Sequence, residues 1–251
     1  MTQRLHPLTT PVVIQAGGKG TRLYPYTKVL PKPLMPVGGM PILEIMLRQL
    51  ASQDFRDITI SVGYLGDMIR MHCGDGSKWG LSIRYVTEDQ PLGTMGPLKL
   101  VDGLHRPFLV MNGDLLTDFD FKELLYQHEE FGGPLTIGTY LKPVNISLGV
   151  LETNANQRVI GFREKPTLHF PCSMGVYAMN PEMLRLIPAG QLFGFDDLMY
   201  KLLELKWSIY SYIFRGTWMD IGRPEDFHAA CELVEKQPEL FIPSEGRRLA
   251  A

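Results

Sequence analysis

Residues 12–36 read VVIQAGGKGTRLYPYTKVLPKPLMP. Val12, Val13 and Ile14 form an apolar run of strand character, which passes through Ala16 into three glycines at positions 17, 18 and 20. Lacking a Cβ, Gly17, Gly18 and Gly20 let peptide N–H groups close on an anion and adopt backbone conformations that other residues resist. Thr21 and Arg22 then supply a hydroxyl and a planar cation suited to phosphate oxygens. Lys32, fixed between Pro31 and Pro33, adds a second cation on a stiff segment. The stretch reads as a strand running into a polyphosphate cradle. Many glycine-rich turns hold no ligand, and the order GGKGTR matches neither the P-loop nor the dinucleotide motif. On residue chemistry alone it is an anion site.

Outward from this stretch the pattern is that of a layered α/β sheet. Pro41 suits a first helical position, and Ile42, Ile45, Met46 and Leu50 recur at helical spacing. Ile58, Ile60 and Val62 alternate as a strand. A short helix is expected over 65–72, a strand over 82–86, a helix over 96–104, and a buried strand over 108–111 that ends at Asn112-Gly113-Asp114. This βαβαβαβ order favours a mostly parallel core with its ligand site at the strand carboxyl ends. Short strands are expected next at 135–140, 148–152, 159–163 and 174–178, then helices at 181–187 and 195–205. No linker, low-complexity tract or repeat interrupts the chain.

Composition narrows the classes. A chain of 251 residues can bury a large share of its surface. Its 25 basic and 27 acidic residues nearly cancel, which speaks against a nucleic-acid-binding surface and makes any phosphate affinity local. No apolar run approaches the roughly 20 residues of a membrane span, and the opening MTQRLHPLTTPVV lacks a signal-peptide core. Cys73, Cys172 and Cys231 are odd in number and scattered, against a disulfide framework or a zinc site. The expected location is the cytoplasm.

The whole string, GGxGTRL followed by PxT and PKPLxPV, resembles the signature of the sugar-1-phosphate nucleotidyltransferases. The resemblance extends over residues 11–234. It implies a Rossmann-like three-layer α/β fold with a mixed, mostly parallel central sheet. It also implies one domain over 1–251, with a nucleotide-binding half to about residue 115 and a sugar-binding half over 116–240. In that family Ala16, Gly17, Gly18, Gly20 and Thr21 would cradle the triphosphate. Arg22 would meet the leaving phosphates and Lys32 the charge developing near the α-phosphate. Asp114 and Asp220 would hold Mg2+, an ion that commonly takes one or two protein carboxylates and fills its octahedron with phosphate oxygens and water. Pro91-Leu92-Gly93-Thr94-Met95-Gly96 resembles the family's second glycine motif, with Met95 where alanine is usual, and implies base contacts from Gly93 and Thr94. Glu164-Lys165-Pro166 resembles the EKP motif that meets the sugar phosphate. Gly149, Ser173, Gly175 and Trp218 fall where relatives close the sugar pocket.

The implied reaction is attack of a sugar 1-phosphate oxygen on the α-phosphorus of a nucleoside triphosphate, releasing pyrophosphate. The nucleophile's second pKa lies near ~6, so no histidine base is needed. Glu88 stands about where thymidylyl-transferring relatives carry glutamine. A carboxylate that only accepts suits the adjacent N1–H and N2–H of guanine better than the mixed edge of uracil or thymine. The sequence therefore favours GTP. Use of UTP or dTTP, a non-catalytic relative that senses a sugar nucleotide, and an unrelated nucleotide enzyme are the alternatives. Mannose, a heptose, glucose and a cyclitol all remain open as acceptor. Many relatives continue into a hexapeptide-repeat β-helix, and no such repeat follows Val234, so one activity is expected. A homo-oligomer would use this domain's own surface.

Overall fold

The computed structural model describes residues 4–243. Seven strands build the central sheet: β1 (Val12–Ala16), β2 (Asp57–Val62), β3 (Ser82–Thr87), β4 (Phe108–Asn112), β5 (Leu135–Asn145), β6 (Thr167–Met179) and β7 (Ile209–Phe214), in the order β7-β5-β6-β4-β1-β2-β3. β1 runs parallel to β2 and β4, β2 to β3, and β5 to β7. β6 alone is antiparallel to both its neighbours. The sheet is mixed and mostly parallel, as the resemblance implied.

Both faces are covered, which is why β1 and β4 are nearly continuous apolar runs. Val12 and Ile14 face a core shared with helices α1 (Ile42–Ser52), α2 (Gly66–Cys73) and α3 (Phe121–Phe131). Val13 faces the opposite core, shared with Leu98, Met183 and helix α4 (Phe195–Glu204). Full burial of each such side chain stabilises the fold by about 1.5–3 kcal/mol. A third cluster packs Leu23, Met35 and Val37 against Ala230 and Val234 of α5 (Pro224–Lys236) and Phe241 of α6 (Pro238–Phe241). That contact ties the signature loop to the end of the described chain. No helix among the described residues is long and apolar enough to cross a membrane.

Several elements differ from expectation. Residues 96–104 form a 3-10 turn over Gly96–Leu100 in place of a helix, ending where Val101 is already extended. The 181–187 helix is likewise a 3-10 segment, Pro181–Leu186. The strands expected at 135–140 and 174–178 lengthen into a paired ribbon, β5 with β6, whose outer half is exposed. Helix α3, strand β7 and the short pair Leu115–Thr117 with Trp218–Asp220 were not foreseen.

Register places the loops. Gln15 of β1 lies opposite Asn112 of β4, so both strands end at the same level. Gly113 N donates to Gln15 O at 2.8 Å, and a Cβ on Gly113 would lie 3.0 Å from that oxygen. The turns after β1 and β4 are thereby held side by side.

Candidate active site

A cleft of about 800 Å³ opens at the carboxyl ends of β1, β2, β3 and β4. Its floor is the glycine loop. Gly20 has φ +61°, and a Cβ there would lie 2.9 Å from Thr27 Cγ2 and 3.1 Å from Lys32 Cβ. Thr27 Oγ1 donates to Gly20 O at 2.9 Å, which folds the loop onto the Lys32 segment. On the other side Tyr64 N donates to Gly17 O at 3.2 Å. The loop is pinned from both flanks, leaving the backbone around Gly18 open to the cleft.

Lys32 is the buried cation of the site, only 7% exposed. Its Nζ forms an ion pair with Asp114 Oδ2 and lies 4.0 Å from Asp220 Oδ1. A buried ammonium requires such partners, because its desolvation is otherwise uncompensated. The aspartates meet because Trp218–Asp220 pairs antiparallel with Leu115–Thr117, Asp220 lying opposite Leu115. Arg22 completes this corner: a Cβ on Gly222 would fall 2.9 Å from its Nη1, so the guanidinium lies against backbone two residues beyond Asp220.

Two carboxylates converging on one cationic centre fit a divalent ion, and the Asp220 side chain is half-exposed, open to further ligands. Among the described residues no three His, Cys, Asp or Glu side chains gather as a metal cluster.

Glu88 is half-buried and already engaged. One carboxylate oxygen accepts from Ser61 Oγ at 3.0 Å and the other from Leu92 N at 3.1 Å. It sits against Gly17, where a Cβ would lie 2.2 Å from Glu88 Oε1. Burial pushes its carboxyl pKa upward, and the Leu92 and Ser61 bonds oppose that rise. A carboxylate has about four lone-pair positions, so capacity for a ligand remains.

Of the sequence-derived residues, Ala16, Gly17, Gly18, Gly20, Thr21, Arg22, Lys32, Glu88, Gly93, Thr94 and Asp114 all line the cleft. Asp220 borders it through Lys32. The sugar-side residues lie apart in two groups. Gly149 and Glu164 are neighbours, a Cβ on Gly149 falling 3.1 Å from Glu164 Oε2, and Lys165 Nζ is 4.0 Å from Glu164 Oε1. These flank the base of an exposed two-stranded arm, Val150–Thr153 with Val159–Arg163. Ser173, Gly175 and Trp218 form the second group. Ser173 Oγ is 3.1 Å from Tyr177 OH, and Trp218 Nε1 donates to Met174 O at 3.1 Å. Gly175, at φ +75°, packs on Asn112, itself a cleft residue.

The cleft also contains residues the sequence reading did not select. Gly63 and Tyr64 follow β2, where the strand-end rule pointed. Gln15 interrupts an apolar strand, and its Nε2 is buried with no hydrogen-bond partner among the described residues. Gln90 immediately precedes the second glycine motif, and Leu192 carried no signal at all.

A mixed α/β sheet whose carboxyl-end cleft joins a glycine loop to a lysine held between two aspartates has the makings of a polyphosphate site. The chain belongs to the nucleotidyl transferase family, whose model matches residues 11–237. The mannose-1-phosphate guanyltransferase of Kluyveromyces lactis is 35% identical over 86% of this chain and 62% of its own length. The UTP–glucose-1-phosphate uridylyltransferase of Synechocystis is 32% identical over 87% of this chain and 61% of its own. The chain thus spans less than two thirds of either relative. Among solved structures, HddC of Yersinia pseudotuberculosis complexed with GMP-PN superposes with a TM-score of 0.69 at 25% identity, covering 90% of this chain and 99% of that one. The resemblance to sugar-1-phosphate nucleotidyltransferases is borne out.

Proposed function

We propose that the protein transfers a nucleotidyl group from a nucleoside triphosphate, GTP by preference, to a sugar 1-phosphate, giving a nucleotide sugar and pyrophosphate. The observation that carries this reading is Lys32, nearly buried, held between Asp114 and Asp220 at the mouth of a glycine cradle. Such an arrangement supplies what the reaction needs, which is alignment and charge neutralisation rather than a strong base.

In this reading the loop 16–21 holds the triphosphate through backbone N–H groups, with Arg22 on the leaving phosphates. Lys32 offsets negative charge developing at the α-phosphate and orients the attacking oxygen. Asp114 and Asp220 would hold Mg2+, which when bound neutralises phosphate charge. The first half of the chain binds nucleotide and the second half binds sugar. Glu164 accepts sugar hydroxyls and Lys165 meets the sugar phosphate, while Ser173, Gly175 and Trp218 shape the pocket wall beside Asn112. Guanine is favoured by the carboxylate of Glu88 at the cleft, and relatives named as mannose-1-phosphate guanyltransferases support a manno-type acceptor. The setting is cytoplasmic.

A grid of five nucleoside triphosphates against mannose, heptose, glucose and cyclitol 1-phosphates, read by pyrophosphate release, tests this. Magnesium-dependent release with GTP and a manno-configured phosphate is expected. Release with UTP or dTTP but not GTP would overturn the base assignment, and release of phosphate without pyrophosphate would overturn the reaction class.

A further inference from the structure

One wall of the cleft comes from a distant part of the chain. The segment 190–195 is fixed to the 90–96 loop by five hydrogen bonds: Gln90 Nε2 to Gly190 O at 3.1 Å, Phe193 N to Leu92 O at 2.9 Å, Met95 N and Gly96 N to Phe193 O at 3.0 Å each, and Phe195 N to Thr94 Oγ1 at 2.9 Å. Gly93 is required for this contact, since at φ +78° a Cβ would lie 2.7 Å from Phe193 O. Phe193 is buried, and the ring of Phe195 stacks on Tyr177 with centroids 4.3 Å apart. Between these anchors Leu192 remains 71% exposed and lines the cleft beside Gly93 and Thr94.

Exposed leucines are common on protein surfaces and usually need no explanation. This one differs in place. Of the large apolar side chains that are exposed among the described residues, Leu192 is the one that lines the cleft. The backbone on either side of it is fixed by these bonds, so the wall itself need not be ordered on binding. A flat heterocycle with its polar edge toward Glu88 leaves a face that gains by covering aliphatic surface.

We propose that Leu192 is a positioning residue for the nucleoside, an apolar platform under the base or ribose supplied by the half of the chain that otherwise serves the sugar. This rests on the nucleotidyl-transfer reading. Two ligands separate the terms: GTP, which carries the nucleoside, and inorganic tripolyphosphate, which does not. In Leu192→Ser, GTP is expected to bind about tenfold more weakly, while tripolyphosphate affinity stays at the wild-type value. The KM for GTP rises with it, whereas kcat and the KM for the sugar 1-phosphate hold. Leu192→Met, which keeps the apolar surface, is expected to restore GTP affinity. Unchanged GTP binding in the serine variant, or equal weakening of both ligands, would overturn the platform. Wild-type protein that binds tripolyphosphate but no nucleoside triphosphate would instead overturn the nucleotidyl-transfer reading, and the platform with it.

Discussion

Lys32 and the two aspartates form a unit whose members cannot be changed independently. Removing the ammonium leaves two carboxylates facing each other, and neutralising Asp114 leaves a nearly buried cation with one distant partner. Lys32→Ala and Asp114→Asn are each expected to lower the rate of pyrophosphate release at least about a hundredfold, equivalent to ~2.7 kcal/mol of transition-state stabilisation. The double variant is expected to lose little more than either single one, because groups acting together are not additive. Steady-state kinetics on the three proteins decides it. At this scale the sequence was most legible where a residue type has one obvious use: glycines that clear the backbone, a lysine clamped by prolines, an aspartate at a strand end. Glu88 was legible as a candidate binding carboxylate, and it does line the cleft, but its engagement by Ser61 and Leu92 was not. Leu192 was not legible, since an isolated leucine before a helix says nothing until the fold brings it to the cleft.

Among the elements, α3 shows why part of the second half was missed. Its buried stripe is Phe121, Leu124, Leu125 and His128, so the helical repeat closes on a polar residue. The capping is regular, with Asp120 accepting from Lys122 N and Glu123 N and Gly132 in the left-handed conformation. His128 lies 2.9 Å from Thr136 Oγ1 and 3.2 Å from Asn180 Oδ1, joining α3 to β5 and the end of β6. Burial lowers its pKa below the ordinary value of 6.5. The unfolded chain therefore binds a proton that the folded one refuses in the window between the lowered pKa and about 6.5. Stability is expected to climb with pH through that window and to level off above it. Denaturant unfolding from pH 5 to 8 measures this, and His128→Gln should flatten the slope. The 3-10 segments were misread for a related reason: Leu98 and Met183 are buried like helix residues, but each segment stops within two turns at an extended residue, Val101 or Ile187.

Across the whole molecule, the parallel half was legible because each βαβ unit is local, whereas the insertion of β6 between β4 and β5 depends on pairings that no local pattern announces. One buried side chain joins these distant parts. Gln49 of α1 donates from Nε2 to Thr117 O and to Phe241 O, each at 2.8 Å, linking a core helix, the strand beside Asp114 and α6. Gln49→Leu leaves both carbonyls without this donor and is expected to cost about 1–3 kcal/mol of unfolding free energy for each carbonyl left buried. Chemical denaturation checks it, with the KM values expected to stay unchanged.

The strand order also sets a timetable for synthesis. As the chain leaves the ribosome, β1 through β4 can pair in sequence, but the outer edge of β4, with Phe108, Leu109, Val110 and Met111 all destined for full burial, waits for β6. A nascent chain at that stage would present a bare apolar edge of the kind that chaperones shield. The wall carrying Leu192 emerges later still. In the proposed reading the nucleoside platform would thus be completed only after the cradle, and a chain ending before residue 190 would retain the cleft without that wall.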